Sequence, residues 1–165
     1  MIFRDLTADD IEVRIQSVKK NGLVLLLYKN ARVDMNILDE TVGAENWQRE
    51  HYECKGNLFC RVGIKTDDGW VYKSDCGTES NTEAQKGEAS DSFKRACFNW
   101  GIGRELYTSP FIWIKAENCG IDNGKCYDTF KVEGIKIENK RITGLAIWNV
   151  TQNKRCYFWK EKAEN

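Results

Sequence analysis

A chain of 165 residues that is 41% hydrophobic and 30% charged, with a single proline, has the make-up of one folded domain, or of one domain with an appendage. Its 25 basic and 25 acidic residues cancel to a formal charge of zero, which argues against indiscriminate nucleic-acid binding. No window approaches the roughly 18 apolar residues of a membrane-spanning helix, and the opening MIFRDLTADD lacks the basic and apolar regions of a secretory leader, so a cytoplasmic protein is expected.

Thr7-Ala8-Asp9-Asp10 has the form of a capping box, and Ile11, Ile15 and Val18 follow at helical spacing, predicting a short N-terminal helix. Val13 fits a strand equally well. Asn21-Gly22 reads as a turn, and the continuous apolar run Leu23–Tyr28 as a buried strand. Met35, Leu38 and Val42 predict a short helix ending at Gly43. Three strands follow, Trp47–Cys54, Leu58–Thr66 and Trp70–Cys76, joined by hairpin chemistry at Lys55-Gly56-Asn57 and Asp67-Asp68-Gly69. The next element is a long helix from about Thr82 to Trp100, capped by Asn81 or Thr82. It carries Ala89, Phe93, Ala96, Cys97 and Trp100 on one stripe and stops at Gly101-Ile102-Gly103.

After Pro110 the pattern returns to strands at Phe111–Lys115, Tyr127–Glu133, Arg141–Val150 and Arg155–Trp159. Turns are expected at Asp122-Asn123-Gly124, Glu138-Asn139-Lys140 and Gln152-Asn153-Lys154. The expected class is α+β: an antiparallel β-meander packed against one long α-helix, with short N-terminal helices and a C-terminal β extension. Residues 1–107 form the expected core (β-β-β-α) and 108–165 the extension, with no internal repeat. Of the six tryptophans (Trp47, Trp70, Trp100, Trp113, Trp148 and Trp159), most fall at positions that face a core.

The charge is unevenly spread. Residues 37–53 carry Asp39, Glu40, Glu45, Glu50 and Glu53 against Arg49, whereas residues 131–165 carry eight Lys or Arg against four Glu. A neutral protein can still hold a nucleic acid in a local basic groove. The seven cysteines are an odd number without an export signal, which implies reduced thiols. His51 and Cys54 have the spacing of a metal-ligand pair, but no Cys-x2-Cys accompanies them and no structural metal is expected. Neither is a nucleophilic cysteine, because no third group orients His51 as its base.

Two segments carry candidate contacts. On strand Leu58–Thr66 one face holds Leu58, Cys60, Val62 and Ile64, and the other Phe59, Arg61, Gly63 and Lys65. A basic face with an aromatic beside it suits stacking and phosphate pairing on a single strand, though a solvated sheet face has the same make-up. On the long helix Lys94 and Arg95 lie beside the apolar stripe, about 100° apart, so at least one points away from the core. The alternative for Arg95 is an ion pair with Asp91 one turn earlier.

The blocks ARVDMNILDETVGAENWQ, RVGIKTDDGWVYKSDCG and KGEASDSFKRACFNWGIG, in that order, resemble the single-strand annealing proteins of the Rad-fifty-two/Rad-twenty-two type, most closely their compact bacteriophage (Sak-like) members. The resemblance covers roughly residues 7–107. It implies single-stranded DNA binding, annealing of complementary strands and homo-oligomeric rings, with no covalent chemistry and no cofactor. Lys94 and Arg95 match the family's basic pair in its DNA groove, and Arg32 matches a groove arginine at the start of the short helix. The pattern breaks where eukaryotic relatives place another arginine and this chain has Phe98 followed by Asn99. Phe98 could stack on a base there, and Arg104 and Lys86 are candidate replacements for the missing cation, beside Arg61 and Lys65. The implied partners are single-stranded DNA, further copies of the chain and a single-strand-binding protein of an infected or lysogenic bacterial cell. Two alternatives share the substrate: an end-protecting or mediator protein that does not anneal, and a small Mg²⁺-dependent nuclease built on Asp75, Glu79 and Lys73.

Overall fold

The computed structural model describes residues 1–78 and 84–164. In chain order its strands and helices are β1 (Glu12–Lys19), β2 (Gly22–Tyr28), α1 (Ala31–Val42), β3 (Trp47–Cys54), β4 (Asn57–Thr66), β5 (Gly69–Cys76) and α2 (Ala84–Asn99). Then come β6 (Ile112–Lys115), β7 (Ile121–Asp122), β8 (Lys125–Cys126), β9 (Phe130–Glu138), β10 (Arg141–Asn149) and β11 (Lys154–Lys160). They pack as two compact units that interleave along the chain, one of Met1–Arg4 with Asn30–Gly103, the other of Asp5–Lys29 with Arg104–Asn165. The division read from chain order lies at 107/108; the packing assigns the N-terminal hairpin to the C-terminal strands.

The class is α+β, with antiparallel pairing throughout. The first unit holds a three-stranded sheet in the order β3-β4-β5 together with α1 and α2. Its core is Val33, Ile37 and Leu38 of α1, Cys60, Val62 and Ile64 of β4, and Phe93, Ala96 and Cys97 of α2. The register explains the selection, since Ile64 pairs with Trp47 on one side and Val71 on the other, and Val62 with Arg49 and Lys73, so the core face of the sheet is every second residue. At Lys55-Gly56 both residues have positive φ (53° and 76°), the two-residue turn whose twist matches a hairpin.

The second unit is a six-stranded sheet in the order β11-β10-β9-β1-β2-β6. Its interior includes Leu23, Leu25, Ile112, Ile114, Ile142, Leu145 and Ile147. Asn139 and Lys140, at φ 50° and 60°, close the β9–β10 hairpin where a turn is predicted.

Two expectations change. The helix expected after Thr7 is a single turn at Ala8–Asp10, where the Asp10 carboxylate accepts from the Thr7 amide at 2.8 Å, and the chain then enters β1. A bulge between Ile15 and Ser17 is the reason. One extra residue turns the strand spacing of two into three, so Ile15 and Val18 share a face and mimic a helix. The strand expected at Tyr127–Glu133 runs instead from Phe130 to Glu138, because Asp128 is held outside it, accepting from the Gly120 amide and the Asn149 side chain, each at 2.8 Å. The expected helix start and caps at Asn81 and Thr82 lie outside the described residues; the described helix begins at Ala84.

Candidate nucleic-acid interface

α2 is held along its inner stripe and at its C-terminus. Ser92, Phe93, Ala96 and Cys97 are buried along its inner stripe. Trp47 and Arg49 of β3 close over Phe93, the ring centroids 6.0 Å apart and the guanidinium 4.9 Å from the Phe93 centroid. Trp100 donates from Nε1 to the Val62 carbonyl at 2.9 Å, and His51 donates from Nε2 to the Ala89 carbonyl at 3.1 Å. The C-terminus is closed by Ile102 N to Cys97 O at 3.1 Å and Gly101 N to Phe98 O at 2.9 Å, with Gly101 at φ 98° and Ile102 buried. Those two bonds are the Schellman pattern, and they explain the predicted glycine stop. Gly77 matters for a different reason, since a Cβ there would lie 2.3 Å from the Glu88 carbonyl, so only glycine lets the end of β5 approach the helix.

This seating sorts the candidates. Lys94 is half-buried beside Phe93, and Arg95 is exposed on the other flank. The Asp91 pairing considered for Arg95 does not form, because Asp91 accepts from the Thr78 amide at 2.9 Å and its hydroxyl at 3.2 Å. Arg95 Nε instead lies 3.5 Å from Asp75 Oδ1 at the end of β5. A seam continues from there. Asn99 donates to the Ser74 carbonyl at 2.9 Å, Lys73 Nζ donates to the Asn99 carbonyl at 3.2 Å, and the same ammonium lies 4.9 Å from the Trp100 ring. Asn99 therefore fastens α2 to β5. Phe98 is half-buried and Lys86 exposed.

Arg32 stands in the first turn of α1, exposed, its amide held by the Asn30 side chain at 2.9 Å. Arg32, Arg61, Lys65, Lys86, Lys94, Arg95, Phe98 and Asn99 all belong to the first unit. Arg104 falls in the second, exposed in the turn Arg104–Thr108.

The face of the sheet turned from α2 also has built geometry. Tyr52 stacks on Phe59 at 5.6 Å, and Trp70 on Tyr72 at 6.4 Å. Arg61 bonds Glu50 through Nε at 2.8 Å, and its guanidinium lies 5.0 Å from the Tyr72 centroid. Lys65 is exposed on the same face. Position-by-position alternation on β4 finds Phe59, Arg61 and Lys65, whereas Tyr52, Trp70 and Tyr72 emerge only once the register pairs the three strands. Trp70 departs from the expectation of core tryptophans, being 41% exposed.

Among the described residues of this unit, Asp75 and Lys73 are committed to other partners. Asp75 is engaged with Arg95 and the backbone of Cys76, Lys73 with Asn99 and Trp100, and Glu79 lies outside the described residues. Among the described residues no group of three His, Cys, Asp or Glu could hold a metal ion, and all seven cysteines are free.

The model of the Rad52/22 family of double-strand break repair proteins matches residues 2–123. The chain belongs to this family. No curated protein and no solved structure matches it. The Rad52/22 match covers the unit that holds α2 from residue 2 onward, takes in β1 and β2 of the other, and runs through β6 to β7, which gives the sequence resemblance its structural setting. Membership places the chain in DNA repair and recombination, with DNA binding, self-association and single-strand annealing as the family's general activities. No helix among the described residues is long and apolar enough to cross a membrane.

Proposed function

We propose that this Rad52/22 protein holds single-stranded DNA by its phosphates on Lys94 and Arg95 of α2 and on Arg32 of α1, and speeds the pairing of complementary strands. The observation that carries the reading is that the family match encloses the one unit in which these three cations lie. Arg95 is suited to the task because its present partner is weak, an exposed ion pair at 3.5 Å that a phosphate can replace. Bases turned outward from such a row stay free to test a second strand, so the acceleration is organisational and no covalent step or cofactor is involved. Phosphate contacts carry no sequence information, and binding is expected to be sequence-tolerant.

A protein of zero net charge gains little from one site, and arraying the site over many copies offsets that through avidity. The sheet suits such an array: β3 and β5, each of eight residues, pair only with β4 among the described residues and leave their outer edges open. A closed ring of copies in a bacteriophage-infected cell, working beside a single-strand-binding protein, is the setting we assign. The test is a titration of labelled oligo-dT at several salt concentrations. The reading expects affinity to fall with salt, and Lys94→Ala/Arg95→Ala to flatten the log–log slope by about 1.4, two phosphate contacts at ~0.7 each on a single strand. An unchanged slope in the double variant contradicts it.

A further inference from the structure

The face of the β3-β4-β5 sheet turned from α2 combines three features that packing within a sheet does not require. Gly63 leaves a gap in the middle of β4, and the Tyr72 ring fills it: a Cβ at Gly63 would lie 2.4 Å from that ring. Tyr72 thus lies across the central strand from β5 and is pinned on the far side, where Gln48 donates from Nε2 to its hydroxyl at 2.6 Å. A ring laid flat and tethered at its tip shows its other face outward, and Tyr72 is 42% exposed, Trp70 41% and Tyr52 37%. The second feature is spacing. The Tyr52–Phe59 pair and the Tyr72 ring sit on rows four residues apart along β4, about 13 Å at ~3.4 Å per residue, so bases laid on the two groups are set apart along the sheet with the Arg61 row between them.

The third feature is charge. Arg61 stands on the row between the two aromatic groups, in an exposed ion pair with Glu50 that a phosphate can replace, and Lys65 stands on the row of Trp70. Lys65 has no hydrogen-bond or ion-pair partner among the described residues. Exposed ring faces with cations between them complement a chain that alternates flat bases with phosphates. A protein partner covering an apolar face would not call for that interleaving.

We infer that this face is a base-stacking platform for single-stranded DNA, with Tyr52, Trp70 and Tyr72 taking bases and Arg61 and Lys65 the phosphates between them. The inference rests on the proposed single-strand binding and adds to it a surface that reads bases as flat objects, distinct from the phosphate contacts of α2.

The test compares ordinary oligo-dT with an abasic strand of the same length and charge, using the full chain. Trp70→Leu/Tyr72→Leu is expected to weaken oligo-dT binding about a hundredfold, roughly tenfold for each base–aromatic stack removed. It leaves the abasic strand and the salt slope unaffected. Trp70→Phe alone, which keeps a ring at that position and leaves the Gln48–Tyr72 bond in place, is expected to bind like the wild type and guards against loss of folding as the cause. If the leucine variant binds oligo-dT as the wild type does while Lys94→Ala/Arg95→Ala loses it, the platform is overturned and the α2 reading stands. If the leucine variant changes the mass of the assembly by light scattering but not its affinity, the face joins copies of the chain, which also overturns the platform. A wild type that binds neither strand removes the underlying single-strand reading itself.

Discussion

Arg95 shows how one side chain can belong to both the fold and the ligand. Its pairing with Asp75 leaves it 45% exposed, so the bond contributes little to stability and holds the guanidinium in place. Asp75 is then a competitor for the phosphate. Asp75→Asn keeps an acceptor for the Cys76 amide and removes the charge, and oligo-dT affinity at low salt is expected to rise about one-and-a-half to fivefold by fluorescence anisotropy; a fall in affinity would contradict the competition. The cysteines make a second residue-scale case. Burial pushes the thiols of Cys60, Cys119 and Cys156 up to about 11, while Cys54 is exposed. Iodoacetamide at pH 8 is expected to label Cys54 in the folded protein and spare those three, as read by peptide mass. The folded state holds these three protons more tightly than the unfolded chain. Their contribution is therefore complete below the ordinary value of 9.0 and is lost as pH rises towards 11.

At the scale of the element, α2 is the part on which the site depends, and its seat can be broken at defined places. Gly77→Ala forces a methyl against the Glu88 carbonyl at 2.3 Å, a backbone atom that cannot swing away as a side chain could, and is expected to cost about 1–3 kcal/mol in urea unfolding. Phe93→Ala empties the pocket under Trp47 and Arg49 and is expected to cost about 3–5 kcal/mol. An Ala at Gly77 with the wild-type midpoint would show that the strand and helix are not held at this distance in solution. Much of this element was legible in advance. The spacing of Phe93, Ala96 and Cys97 gave its buried stripe, and Gly101-Ile102-Gly103 gave its end, because both signals are local. What sequence could not supply was the register. Without the pairing of β4 to β5 there is no way to see that Tyr72 crosses Gly63, or that Arg95 faces Asp75 rather than Asp91. β1 was misread for the related reason that a bulge counts three where a strand counts two.

For the whole molecule, the chain order conceals the packing. β1 and β2 join β6, β9, β10 and β11 in one sheet, a long-range pairing that no local pattern announces, whereas the contiguous β3-β4-β5-α2 segment was recognisable from its turns and periodicity. The family match likewise covers that segment and stops within the second unit at residue 123. If the account is right, binding, salt dependence and pairing all originate in the unit that holds α1 and α2, and the basic C-terminal strands do not govern the phosphate contacts. The most direct test is the rate at which two complementary labelled oligonucleotides pair, with wild type and with Lys94→Ala/Arg95→Ala, at low and moderate salt. The account predicts acceleration by the wild type that weakens with salt and is lost in the double variant. A wild type that binds both strands yet pairs them no faster than buffer alone would contradict it.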